Sequence, residues 1–214
     1  MDSQLDLLEQ HIAQLEQIVY KEKVIYPDPP VREEDHIDPE LIKMMKDKNL
    51  WSYSGVRRVP ADYYQKPLDY RMQCVGCQKI EQLCKCVLFE VKDAPDKNKR
   101  FVCLCIQYVD SFSSSKLQAV ISKLLGKNVT DIGLADENIA TELTGSKHNA
   151  MTPVFMRPSK KYETYEVPII LSEKIAALDP HFFWLGGGEI DTKFGIETRK
   201  FITTFKPYIA DISA

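Results

Sequence analysis

No apolar run in this chain approaches the roughly eighteen residues that a membrane span needs. The N-terminus, Met-Asp-Ser-Gln-Leu, lacks a basic stretch followed by an apolar one, so no secretory signal is read there and the default address is the cytosol. A strong charge of one sign is missing too: 28 Lys and Arg against 31 Asp and Glu leave a net charge of −3. That excludes the global basic field of a protein that coats nucleic acid, while leaving room for a local patch that grips a short stretch of it. There is no Gly-x-Ser-x-Gly elbow, no Gly-x-x-x-x-Gly-Lys-Ser/Thr loop and no Gly-x-Gly-x-x-Gly after a strand pattern. Histidine is scarce, at four, and His11 and His36 fall outside the domain-like part of the chain, which leaves His148 and His181. Internal repeats and low-complexity tracts are absent as well.

What is present reads as one globular domain behind an extension: 214 residues, 44% hydrophobic and 28% charged. Residues 1–26 hold an amphipathic helix, in which Leu5, Leu8, Ile12, Leu15 and Val19 step by three and four like a coiled-coil seam. Such a helix suits self-association or docking on a partner, or packing on its own domain. Residues 27–48 follow as a stiff linker, Pro27-Asp-Pro-Pro30 with Glu33-Glu-Asp35, and a short helix opening at Asp38-Pro39. Residues 49–214 form the domain. Its first part, 51–72, is rich in Tyr, Arg and Pro without a period and is expected to wrap the domain irregularly. Lys85–Val91 and Phe101–Tyr108 read as a hairpin. Ser113-Ser-Ser115 opens a helix that closes at Gly126, and a second helix runs from near Asp136 to Gly145. Val167–Leu171, Phe182–Leu185 and Lys193–Ile196 are further strands, and Glu197–Phe205 is a closing helix. The absence of a regular βαβ beat predicts a mixed α+β fold.

Six cysteines raise the question of a metal. Cys74-x-x-Cys77 and Cys84-x-Cys86 offer four thiols within thirteen residues, and thiolates suit zinc. A zinc ribbon, however, presents two Cys-x-x-Cys knuckles. In a strand, Cys84 and Cys86 share one face, as do Cys103 and Cys105, and buried reduced cysteine acting as a small hydrophobe explains both pairs. No metal and no cofactor is therefore assigned. Lys85 differs in kind, because a lysine between Leu83-Cys84 and Cys86-Val87 either snorkels to solvent or aims its ammonium into a pocket, where low dielectric strengthens it. Two further segments, Glu142–Pro153 and Phe183–Glu189, bring glycines next to polar groups, as happens where backbone amides approach a ligand. His148 in the first of them suits either a general base or a clamp on backbone groups.

Leu83-Cys-Lys-Cys-Val-Leu-Phe89, Leu143-Thr-Gly-Ser-Lys-His-Asn-Ala-Met-Thr-Pro153 and Phe182-Phe-Trp-Leu-Gly-Gly-Gly-Glu189, in that order, resemble the YbaK/prolyl-tRNA-synthetase-associated domain. Members of that family hydrolyse amino acids wrongly attached to tRNA. The likeness spans roughly 74–206, and its fuller wording is most similar to the family's stand-alone eukaryotic branch. It implies a mixed six- to seven-stranded, barrel-like sheet surrounded by helices. It also implies a catalytic set of Lys85, Gly145 and His148. Asn149, Ala150, Thr152, Pro153, Gly186, Gly187, Gly188 and Glu189 are implied as substrate-binding residues. The implied partner is the acceptor end of an aminoacyl-tRNA, with an aminoacyl-tRNA synthetase or multisynthetase assembly, or a second copy through residues 2–24, as further partners. Two departures bear on specificity. The loop from Gly145 to Pro153 is longer than the simpler bacterial Gly-x-x-x-Pro form, and Glu189 stands where some editing relatives place a histidine. A non-catalytic tRNA or synthetase adaptor is the alternative of a different class.

Overall fold

The computed structural model describes residues 37–214; the helix expected within 1–26 and the proline-rich linker lie outside the described residues. The first described helix, α1 (Pro39–Asp47), is capped by Asp38, whose carboxylate accepts from the Glu40 amide at 2.8 Å, with proline at the first helical position. Leu41 and Met45 lie one turn apart on its buried face and enter the same core as the rest of the domain.

Among the described residues eight strands build two sheets. β1 (Ser54–Arg58), β6 (Phe182–Gly186) and β7 (Thr192–Glu197) form an antiparallel sheet in the order β1-β7-β6. β2 (Cys84–Val91), β3 (Phe101–Gln107), β4 (Ile132–Leu134), β5 (Ile169–Ser172) and β8 (Tyr208–Ala210) form a mixed one, β4-β2-β3-β5-β8. The expected hairpin is β2–β3, with Cys86 opposite Cys105. A parallel bridge between Leu83 and Trp184 joins the two sheets where β2 begins.

Side-chain alternation distributes the core. Cys103 and Cys105 of β3 enter the central core with Phe183 and Leu185 of β6. Val102, Leu104 and Ile106 face the other way, under Leu117, Ile121 and Leu125 of α3 (Ser114–Leu125). Phe182 and Trp184 face a third cluster with Tyr63, Val75 and Leu83. Both faces of these strands are covered, which is why they read as continuous apolar runs. Gly195 is obligatory in this packing, since a Cβ there would stand 2.5 Å from the Phe182 ring.

The mixed α+β class is as expected, and the helices begin and end at the cues that announced them. Ser113 caps α3, and Gly126 ends it at φ +66°. Asp136 caps α4 (Glu137–Thr144), and Gly145 ends it. Two short helices, α5 (Glu173–Ala176) and α6 (Thr198–Phe205), complete the later half. The stretch 51–72 departs from expectation. It contains β1, a 3-10 turn at Tyr63–Gln65 and the start of α2 (Leu68–Val75). β1 carries one aliphatic residue, Val56, and its strand geometry comes from pairing with β7. No helix among the described residues is long and apolar enough to cross a membrane.

Candidate active site

A cavity of about 340 Å³ opens between β2, the end of β6, the strand β4 and the chain that leaves α4. Lys85, Tyr108, His148, Asn149, Met151 and Gly186 are among its walls. Lys85 is half-buried, with Nζ 5.6 Å from the centroid of the Tyr108 ring and no carboxylate within ion-pairing distance among the described residues. An unpaired ammonium against an aromatic wall is free to meet an incoming oxygen.

The two glycine-bearing segments do meet. The Lys147 amide donates to the Gly188 carbonyl at 2.8 Å, and the Gly188 amide donates to the Ala150 carbonyl at 3.0 Å. Gly186 lets them close: a Cβ there would lie 2.3 Å from the carbonyl carbon and oxygen of Ala150. The other glycines serve packing. Gly145 ends α4 at φ +62° and faces the Arg157 guanidinium. Gly187 sits against Thr192, and Gly188, at φ +90°, against the Phe155 ring.

The polar residues divide similarly. Thr152 is fully buried and caps the 3-10 turn Pro153–Phe155, in which Pro153 is buried as well. Ala150 is buried under the glycine wall. Glu189, which is not part of the cavity lining, pairs at 2.6 Å with Lys147, which is. His148 stands at the mouth, its Nδ1 3.1 Å from Glu137 Oε1, so the carboxylate can fix the ring while Nε2 stays available. Asn149 adopts φ +62°, a left-handed turn that asparagine tolerates better than most residues.

Backbone donors show what the loop can offer a ligand. The amides of Gly145, Ser146, Lys147, Ala150, Gly187 and Gly188 already donate within the protein. Those of His148, Asn149 and Met151, all cavity-lining, have no acceptor among the described residues. Three free amides on residues that share a cavity with an unpaired ammonium can cradle an oxygen that gains negative charge.

Behind the cavity lies a group that sequence reading left out. Lys193 of β7 is 4% exposed. Its Nζ donates to Tyr64 Oη, whose hydroxyl donates to the Asn149 carbonyl, and it lies 4.2 Å from the Tyr64 ring centroid. Arg71 stacks near Tyr63, Tyr64 and Tyr108. The cue existed: Lys193 interrupts a strand between Thr192 and Phe194, just as Lys85 interrupts one between cysteines.

Burial pulls the Lys193 amine down to about 7, and the like charge of Arg71 adds to the effect. Below pH 7 the folded chain carries this proton against the cost of desolvation. Between about pH 7 and 9 the unfolded chain binds a proton that the folded chain has released, so Lys193 makes stability rise with pH there. Above that window buried thiols oppose the trend, Cys77 being pushed up to about 12 and Cys84 also upward. Urea unfolding at about pH 6.5 and about pH 8.5 is expected to show a gain of about 2 kcal/mol from this residue, absent in Lys193→Met. The same pH dependence in both chains would refute it.

The four-thiol set drawn from sequence does not gather. Among the described residues the mutually close thiols are Cys86, Cys103 and Cys105, within 4.8 Å of one another, and all six cysteines are free. They pack beside Leu88, Leu143 and Leu171 in the central core.

No protein-family model and no curated protein matches this sequence. Solved structures do. A candidate trans-editing enzyme for prolyl tRNA synthetase superposes with a TM-score of 0.63 at 16% identity, covering 83% of this chain and 99% of its own. A scaffold protein bearing a computationally grafted epitope gives 0.61 at 15% identity over 83% and 99%. A hypothetical protein gives 0.59 at 16% identity over 82% and 99%. These likenesses establish a shared fold of the expected mixed α+β class, in which two sheets of three and five strands stand where one barrel-like sheet of six to seven strands was implied.

Proposed function

We propose that the protein is a trans-editing hydrolase, which cuts the ester between a wrongly attached amino acid and the terminal ribose of a tRNA. The observation that carries this reading is Lys85: a half-buried, unpaired ammonium in a cavity walled by the loop after Gly145 and by Gly186. The editing-enzyme description of one fold neighbour agrees with it.

An aminoacyl ester is already activated, so neither a nucleophile triad nor a metal is required; a positioned water and a stabilised oxyanion suffice. Lys85 Nζ holds the carbonyl oxygen or the terminal nucleotide. The free amides of His148, Asn149 and Met151 share the charge that develops as water adds. His148, oriented by Glu137, is placed to take the water proton, and Gly186 admits the backbone needed to shape the amino-acid end. A cavity of this size sorts side chains by volume, as a sieve that admits small ones. Binding centres on the acceptor end, as a chain with net charge −3 requires, and a cytoplasmic setting with a synthetase nearby suits the substrate.

The test is deacylation of a panel of correctly and wrongly charged tRNAs. Selective release of one small amino acid is the expected result. No release from any member, with tRNA or a synthetase still bound, would replace the hydrolase with an adaptor.

A further inference from the structure

Among the described residues Lys193 is the one buried lysine or arginine, and no carboxylate lies within ion-pairing distance of it, although Asp191 favours its charged form from further away. The nearest acid, Asp191 in the turn before β7, pairs with Arg58. The other titratable or charged groups around it are Tyr63 and Tyr64 from the 3-10 turn, Arg71 from α2, Cys84 at the start of β2, Tyr108 at the end of β3 and Arg57 across the strand pair. Two of these are cations. Burying an ammonium in such company destabilises a fold, so its presence beside a cavity points to a functional role.

We infer that Lys193 is a positioning residue for the cavity, acting through Tyr64 on the Asn149 carbonyl and so on the loop that closes over the aminoacyl group. The inference rests on the deacylase reading of the cavity. A protonated amine can only donate, so Tyr64 Oη accepts from it and turns its own single proton toward Asn149. A neutral amine has a lone pair that competes for that phenol proton, and the Asn149 tether then loosens. The amine, held near 7, takes both forms at neutral pH. The tethered carbonyl lies inside the His148–Met151 stretch that supplies the three free amides and lines the cavity, so loosening it disorders the donors themselves.

The experiment compares wild type, Lys193→Met, Tyr64→Phe and the double variant on a charged tRNA that the wild type hydrolyses, over pH 6 to 8.5 (about the range the amine titrates in) and after subtraction of spontaneous hydrolysis. Each single variant is expected to lower kcat about tenfold with a smaller change in KM, because the disordered donors act on charge that develops in the transition state, and the double variant is expected to be no worse than either. The alkaline fall of kcat/KM with a midpoint near 7 should disappear in both. Lys193→Met should also raise Tm near pH 6.5, the opposite of what loss of a structural lysine does. Wild-type kcat and pH profile in both single variants, or a lowered Tm with them, overturns the inference. NMR of ¹³C-lysine and ¹⁵N-labelled protein separates it from the deacylase reading. If a lysine signal absent from Lys193→Met titrates near 7 and the Asn149 amide follows it while no charged tRNA is cleaved, the tether stands and the hydrolase reading falls. If cleavage occurs and the Asn149 signal ignores both pH and Lys193→Met, the tether falls.

Discussion

Lys85→Ala is expected to lower deacylation of a mischarged tRNA by about 100-fold or more, the usual effect of removing one group that stabilises an oxyanion in a water-poor site. The fold should survive. Lys85 has no ion pair to break among the described residues, and its ammonium meets only the Tyr108 ring, 5.6 Å away. The loss in stability is therefore about 1 kcal/mol or less, from the cation–π contact and the packed stem. Lys85→Arg discriminates between roles: a guanidinium keeps the charge but is longer and planar, so it restores tRNA binding more than turnover. Urea midpoints together with single-turnover rates decide the matter. A Lys85→Ala rate near wild type with an intact fold would move the charge that matters to the free amides or to His148.

How much of this was legible in the sequence follows from how local each signal is. The β2–β3 hairpin and the helices α3 and α4 were readable because their caps and apolar periods lie within a few residues: Ser113 to Gly126, Asp136 to Gly145. The meeting of the two glycine-bearing segments could be anticipated from residue type, since backbone can approach Gly186 so closely only if no side chain intervenes. β1, β4 and β8 were not legible. They are three to five residues long and owe their strand geometry to partners far along the chain, as Ser54–Arg58 does to Thr192–Ile196. α2 is a different case. Leu68, Met72 and Val75 have helical spacing and Gly76 ends the helix at φ +71°, so the cues were there under the tyrosines and arginine.

The site divides along the same line. Lys85 and the loop are contiguous in sequence, but the network behind them draws Tyr64, Arg71, Tyr108 and Lys193 from four elements. No window of sequence contains it. Sequence reading also credited ligand contact to residues whose observed work is packing: Thr152 caps a turn, Gly187 meets Thr192, and Gly188 meets Phe155. A motif marks a place where the chain is constrained, without saying whether ligand or protein supplies the constraint.

Gly186→Ala tests that distinction with the second large effect. The added methyl would stand 2.3 Å from the Ala150 carbonyl and 2.7 Å from the Met151 oxygen. Both are backbone atoms, and the Ala150 carbonyl also accepts from the Gly188 amide, so no side-chain rotation relieves the clash. The loop must move outward, carrying the amides of Asn149 and Met151 with it. A cost of about 3 kcal/mol is expected, the upper part of the range for overpacking, and deacylation should fall by at least about 100-fold because the donors leave their positions. Gly133→Ala is the control: nothing lies within 4 Å of its Cβ, so stability should stay within about 0.5 kcal/mol. Gly145→Ala falls between the two, since its φ of +62° costs about 1 kcal/mol while the methyl meets only the movable end of Arg157. Urea unfolding of the three variants gives the order directly. If Gly186→Ala is as stable and as active as Gly133→Ala, the close approach of the loop to β6 is not what shapes the cavity.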